Sequence, residues 1–130
     1  MTMDTLRLAA RFKALAEPPR LEILALLLHY GEMCVCDVMV VLGLTQSRAS
    51  RHLAVLARAG LVEGRRAGMW VHYRIAPDPD PVAVAQIAAV TSFFPADRLA
   101  AVGERLRAVR AAKARDACCP PLDQGNGTSS

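Results

Sequence analysis

The sequence predicts a mainly α-helical domain with one small β-hairpin, the arrangement of a winged helix-turn-helix. Two short apolar helical patterns flank the break at Gly43-Leu44-Thr45, two strand-like segments follow them, and the basic excess of the chain lies on the same region. The 130 residues are 53% hydrophobic but only 5% aromatic. Leu, Val and Ala must therefore form the core, which favours helices packed on helices.

The spacing of apolar residues and the residues that end helices place each element in order. Prolines 18 and 19 suit the first turn of a helix, while Gly31, Gly43 and Gly60 suit helix ends. The predicted helices cover 5–15, 20–30, 35–42, 46–59, 82–94 and 96–116. Strands are predicted at 61–65 and 70–76, joined by a turn at 66–69, and residues 77–81 form a proline-rich linker.

The chain is expected to form one DNA-binding and dimerisation domain over 1–117, followed by a flexible, cysteine-containing tail over 118–130. The predicted helix at 82–94 is apolar almost all round, which in a small domain indicates burial against a symmetric partner. This helix is therefore expected to meet a second copy of the chain. The chain shows neither a signal peptide nor a membrane-spanning segment, so a cytoplasmic protein without a membrane partner is expected.

Arginine is concentrated between residues 46 and 76, where six arginines accompany one acidic residue. Such clustering suits a phosphate backbone, although a solvated basic face has the same composition. The fourth predicted helix also carries short polar side chains and arginine near its start, which is typical of a helix that reads bases. The candidate DNA-binding residues are Gln46, Ser47, Ser50 and Arg51 on that helix, and Arg65 and Arg66 on the wing, with His72 as a further wing candidate. For His52 the alternatives are contact with a phosphate and packing beside the core, and packing is the one expected.

The segment MCVCDVMVVLGLTQSRASRHLAVLARAGLV, followed by GMWVHYRI, resembles the ArsR/SmtB family of metal-responsive repressors. The upstream PPRLEILALL resembles the second helix of that family, and the resemblance covers about residues 6–76. It implies a winged-helix homodimer bound to double-stranded operator DNA, with terminal helices at the dimer interface. It also implies release from DNA when an inducer binds.

Cys34 and Cys36 resemble the CVC element of arsenite-sensing and cadmium/lead-sensing members of that family. In a regular helix two such residues point about 200° apart, but their sulfurs can converge if Cys34 lies at or before the N-cap. The alternative is two small buried residues. The best-known arsenite sensors carry a third cysteine where this chain has Met39. The candidates for a third thiolate are Cys118 and Cys119, of the same or the partner chain, and the alternative is a flexible tail that has no role in the site.

The sequence thus predicts a repressor that leaves its operator when As(III) or Sb(III) binds cysteine thiolates. Methylarsenite needs only two thiols, and four thiolates would suit Cd(II) or Pb(II), so these inducers are alternatives. Disulfide formation in a redox-responsive repressor is another. No organic cofactor is expected. An enzyme is not expected either, because the cysteines lie in a helix-turn-helix without a βαβ unit, a glycine-rich loop or a nearby acid/base pair.

Overall fold

The computed structural model describes residues 3–116, with side chains as far as Lys113, and confirms the predicted fold class. The predicted tail, with Cys118 and Cys119, lies outside the described residues. Six helices and three strands follow in the described part of the chain. They are α1 (Thr5–Lys13), α2 (Pro18–Tyr30), β1 (Met33–Cys34), α3 (Val35–Leu42), α4 (Gln46–Arg58), β2 (Val62–Ala67), β3 (Trp70–Ile75), α5 (Pro81–Phe93) and α6 (Ala96–Asp116).

Capping residues define where the helix-turn-helix begins and turns. Thr45 accepts a hydrogen bond from the Arg48 N–H and caps α4, as its position before a helical pattern predicts. Gly43 ends α3 in the left-handed conformation, with φ 67°, which glycine adopts without steric cost. Cys34 caps α3 through its sulfur. The turn between α3 and α4 therefore spans only three residues.

The core lies between α2, α3 and α4. On the inward face of α4, Ala49, Leu53 and Leu56 are fully buried. His52 lies beside them and is also buried, as expected. Other fully buried side chains come from α2 and α3, namely Ile23, Leu24, Leu26, Val38 and Val41. Because α3 and α4 share this core, a shift of one helix is transmitted to the other.

The three strands form an antiparallel sheet in the order β1-β3-β2. The first hairpin strand, β2, continues two residues beyond its predicted end, and only Gly68 and Met69 separate Ala67 from Trp70. The pairing of β1 with β3 was not predicted, because two residues are too short to show a period of two. It places Cys34 directly opposite His72, and so joins the thiol segment to the wing.

The structure corrects one expectation about β3. His72 is buried, so its side chain is not available to contact DNA from the wing. β3 is the central strand of the sheet, and β1 pairs beside it at His72. Its neighbours Val71, Tyr73 and Ile75 are each half-buried.

The last helix, α6, packs on α2 and α3. Val102 and Leu106 of α6 are fully buried, and Leu99 and Val109 are half-buried on the same face. Gly103 allows close approach, because a Cβ at that position would overlap the hydroxyl of Tyr30. Across residues 3–116, none of the helices has the length and apolar character needed to cross a membrane.

Candidate thiol site and DNA-binding surface

The sulfurs of Cys34 and Cys36 converge at the start of α3. Cys34 is the N-cap residue, with extended backbone at φ −75° and ψ 150°, and Cys36 lies in the first helical turn. Their Sγ atoms are 2.8 Å apart, and the Cys34 Sγ accepts a hydrogen bond of 3.3 Å from the Cys36 N–H. The predicted condition for convergence, Cys34 at the N-cap, is therefore met. The two sulfurs are therefore close enough to bind one ligand at the start of α3, the first helix of the helix-turn-helix.

One ammonium group lies beside the Cys36 sulfur. Lys113 reaches over from α6, and its Nζ lies 3.8 Å from the Cys36 Sγ while donating to the Asp37 carboxylate. Both members of this ion pair are largely buried. The N-terminus of α3 adds a further partial positive charge. A helix N-terminus and a nearby lysine are surroundings typical of cysteines that bind soft metals and metalloids.

The described residues supply two sulfurs to this site but not a complete set of metal ligands. Between residues 3 and 116, no group of three or more His, Cys, Asp or Glu side chains is arranged to hold a metal ion. His72 lies opposite Cys34, and its burial lowers its pKa from the usual 6.5. The geometry therefore fits a ligand that takes two thiolates here and any further donor from outside the described residues.

The predicted reading residues share one exposed surface. Gln46, Ser47, Ser50 and Arg51 are all exposed on the first half of α4, opposite the face that the core uses. They remain available to a groove of DNA because the buried side of the helix is filled by other residues.

The wing arginines are also exposed. Arg65 donates to the Glu32 carboxylate at 3.1 Å, and Arg66 is the next residue on β2. An exposed pair of this kind contributes little to stability, so Arg65 can exchange its partner for a phosphate at small cost.

A buried arginine, Arg20, contacts α4 on its core-facing side. Nothing in the sequence indicated this contact. The Arg20 Nε donates to the Ala14 carbonyl at 2.7 Å, and its Nη1 lies 3.0 Å from the His52 Nδ1. Burial, followed by the charge of Arg20, lowers the pKa of His52 from 6.5. The neutral ring accepts from Arg20, so α4 is tied to the end of α1.

An apolar groove lies between α1, α2 and α5. Its lining includes Leu8, Phe12, Leu15, Leu21, Val82 and Phe93. Phe12 is 62% exposed and Phe93 is 83% exposed. Large exposed side chains grouped in one patch are typical of a protein interface, which agrees with the expectation that α5 meets a partner.

Comparison with known proteins places the segment that contains the helix-turn-helix in one family. Residues 17–64 match the profile of the bacterial regulatory protein arsR family. The chain is 50% identical over 66 residues to the arsenical resistance operon repressor of Escherichia coli, covering 51% of this chain and 56% of that protein. It is 36% identical over 108 residues to the arsenic resistance transcriptional regulator ArsR2 of Pseudomonas putida, covering 83% and 93%. A Listeria innocua cadmium resistance regulator, CadC, is 35% identical over 72 residues, covering 55% and 60%. The chain thus spans little more than half the length of the Escherichia coli relative.

Solved structures give the same result for the fold. HlyU from Vibrio cholerae superposes with a TM-score of 0.59 at 32% identity, covering 72% of this chain and 98% of that one. A homodimeric winged helix-turn-helix domain from Mycobacterium bovis, described as a possible ArsR-family regulator, superposes with a TM-score of 0.56 at 37% identity, covering 66% and 76%.

Proposed function

The chain belongs to the arsR family of bacterial regulatory proteins, and from that premise we propose that it is a dimeric repressor released from operator DNA by As(III). Family membership makes it a DNA-binding transcriptional regulator and not an enzyme. One observation carries the sensing proposal, namely the 2.8 Å approach of the Cys34 and Cys36 sulfurs at the start of α3. That position is the first residue pair of the helix-turn-helix, so a ligand held there acts directly on the DNA-binding unit.

Thiolates are the donors that soft metals and metalloids prefer. Each As–S bond that forms replaces one As–OH group and releases one water, so arsenous acid can take three thiolates, and Sb(III) behaves alike. Cys34 and Cys36 supply two of them. The names of the Escherichia coli and Pseudomonas putida relatives support an arsenic inducer, while that of the Listeria relative makes Cd(II) the main rival.

We assign the third thiolate to Cys118 or Cys119 of the same chain. Lys113 of α6 already contacts the Cys36 sulfur, so α6 brings its end to the thiol pair. Cys118 follows Lys113 by five residues, and because α6 continues to Asp116 the two Cα atoms are at most about 12 Å apart. An intra-chain ligand therefore needs no contribution from the partner subunit.

Operator binding is assigned to α4 and the wing. The exposed polar residues of α4, which are Gln46, Ser47, Ser50 and Arg51, read bases in the major groove, while Arg65 and Arg66 contact the backbone or the minor groove. In the dimer, the apolar groove between α1, α2 and α5 of one copy packs against the same groove of the second copy. A two-fold dimer then places two α4 helices on half-sites about one helical turn apart, roughly 34–36 Å. The homodimeric Mycobacterium bovis relative supports this assembly.

The thiol site is coupled to DNA through the N-cap. The Cys34 sulfur accepts the hydrogen bond that starts α3, so drawing that sulfur toward a ligand disturbs the first turn of the helix. Because α3 and α4 share one core and are separated by three residues, the disturbance reaches α4, the reading helix. A coupling free energy of about 1–3 kcal/mol is sufficient, since it changes operator affinity about 5- to 150-fold.

The proposal is tested by titrating operator-bound protein under reducing conditions and following release by fluorescence anisotropy. Arsenite, methylarsenite and Cd(II) are compared on the wild type, on a Cys34→Ser/Cys36→Ser variant and on a Cys118→Ser/Cys119→Ser variant. Arsenite is expected to release the wild type but neither variant. Release of the second variant would show that two thiols suffice, and release by Cd(II) alone would mean that the inducer is wrong.

A redox-responsive repressor is the second candidate, because the approach of the two sulfurs that suits a shared ligand also suits a disulfide. Under this alternative, an oxidant such as diamide releases the operator in the absence of any metalloid. Arsenite under reducing conditions then has no effect. The same anisotropy assay therefore separates the two candidates.

A further inference from the structure

The last helix of the described chain holds α3 at both of its ends. We propose that α6 transmits occupancy of the thiol pair to the reading helix, with Lys113 as the positioning residue at Cys36 and Arg105 as the positioning residue at the turn before α4. The inference rests on the proposed function, since it takes Cys36 as an inducer-binding residue. It adds a signalling element that lies outside residues 17–64, the segment matched by the family profile.

At the thiol end, one ammonium group bridges two acceptors. The Lys113 Nζ contacts the Cys36 sulfur at 3.8 Å and donates to the Asp37 carboxylate. The Lys113 side chain is 12% exposed and that of Asp37 is 6% exposed, so water screens the contact little. When the Cys36 sulfur is bonded to an inducer, it no longer offers the same charge and lone pairs to Lys113. The position of Lys113 therefore depends on whether the site is occupied.

At the other end, α6 holds the last turn of α3. The Arg105 Nη1 donates to the Val41 carbonyl at 2.7 Å. That carbonyl belongs to the final turn of α3, where carbonyls have no partner within their own helix. Gly43 and the three-residue turn to α4 follow directly. Arg105 thus fixes the backbone from which the reading helix starts.

The two contacts are joined by a rigid element. Lys113 and Arg105 lie eight residues apart on α6, about 12 Å along the helix. Val102 and Leu106 are fully buried beside Arg105, so α6 is packed against the domain there. Between the two contacts, the Arg110 Nη2 donates to the Glu32 carbonyl, just before β1. A displacement of Lys113 is therefore passed along α6 to the Val41 carbonyl and the turn.

The test measures a coupling factor, defined as operator affinity without arsenite divided by operator affinity with saturating arsenite. The variants are Lys113→Met and Arg105→Met, with Lys113→Arg as the charge-conserving rescue and the exposed Arg107→Met on the same helix as the matched control. The affinity of the DNA-free protein for arsenite is measured separately. Circular dichroism and sedimentation verify that each variant is folded and associates like the wild type.

The wild type is expected to show a coupling factor of about 5 to 150. Both methionine variants should reduce it at least about fivefold, while Lys113→Arg and Arg107→Met keep it within about twofold. Arg105→Met should bind arsenite as tightly as the wild type, because Arg105 touches no cysteine.

Wild-type coupling in Arg105→Met and Lys113→Met would overturn the inference and leave the proposed function standing. Loss of arsenite binding in Lys113→Met combined with full coupling in Arg105→Met would also overturn it, since Lys113 would then serve only the site. If Lys113→Met does not fold, Arg105→Met decides by itself. A wild type that arsenite never releases would refute the proposed function, and this inference with it.

Discussion

Truncating Phe93 to alanine tests the proposed dimer interface. Phe93 is 83% exposed at the end of α5, so its side chain is nearly all available for burial by a second copy. Complete burial of a Phe side chain stabilises by about 1.5–3 kcal/mol. A two-fold interface contains the residue twice, so Phe93→Ala should weaken the dimer by about 3–6 kcal/mol. This loss corresponds to roughly 10²- to 10⁴-fold in the dimer dissociation constant.

Sedimentation equilibrium measures that dissociation constant directly. Circular dichroism of the variant should match that of the wild type, because the exposed ring contributes little to the fold of one subunit. Val40→Ala is the matched control, since Val40 is 62% exposed on α3 and does not line the groove. A Phe93→Ala dimer within about threefold of the wild type, well short of the loss that burial of the ring implies, would refute the assignment of this groove.

Three further predictions concern the reading helix and its supports. Arg51→Ala should weaken operator binding by about 1–3 kcal/mol per half-site without changing arsenite affinity, and an unchanged operator affinity would remove Arg51 from the reading surface. Arg20→Met removes hydrogen bonds to Ala14 and His52 and should lower the free energy of unfolding by about 2–5 kcal/mol in urea titrations, whereas a loss below about 0.5 kcal/mol would contradict its role. Burial holds the pKa of His52 below 6.5, so the folded protein binds fewer protons than the unfolded chain. Stability should therefore be fully present above pH 6.5 and decline as the pH falls below it, and the decline should be smaller in His52→Gln.

The DNA-binding unit could be predicted from sequence because its signals are local. The spacing of Ala49, Leu53 and Leu56 defines the buried face of α4, and Thr45 and Gly43 mark its cap and the preceding turn. The convergence of the sulfurs was also predictable, since it depends only on where α3 begins relative to Cys34. Each of these features is determined by residues within one or two helical turns of each other.

The remaining features depend on contacts between distant parts of the chain. Lys113 meets Asp37 across 76 residues, and Arg20 meets His52 across 32, and neither lysine nor arginine shows a pattern that names its partner. The sequence suggested that His72 lies on the wing surface. The pairing of β1 with β3, which places Cys34 beside His72, could not be predicted because β1 is only two residues long. Tertiary packing decided these contacts, and periodicity contains no information about them.

Linkage provides the most direct test of the claim that occupancy of Cys34 and Cys36 releases the operator. Arsenite affinity is measured by calorimetry under reducing conditions, once with the free dimer and once with saturating operator DNA. The account predicts that DNA weakens arsenite binding by the same factor by which arsenite weakens DNA binding, about 5- to 150-fold, and that the Cys34→Ser/Cys36→Ser variant loses both effects. Equal arsenite affinities with and without operator would contradict the account, because a ligand that does not distinguish the two states cannot shift the equilibrium between them.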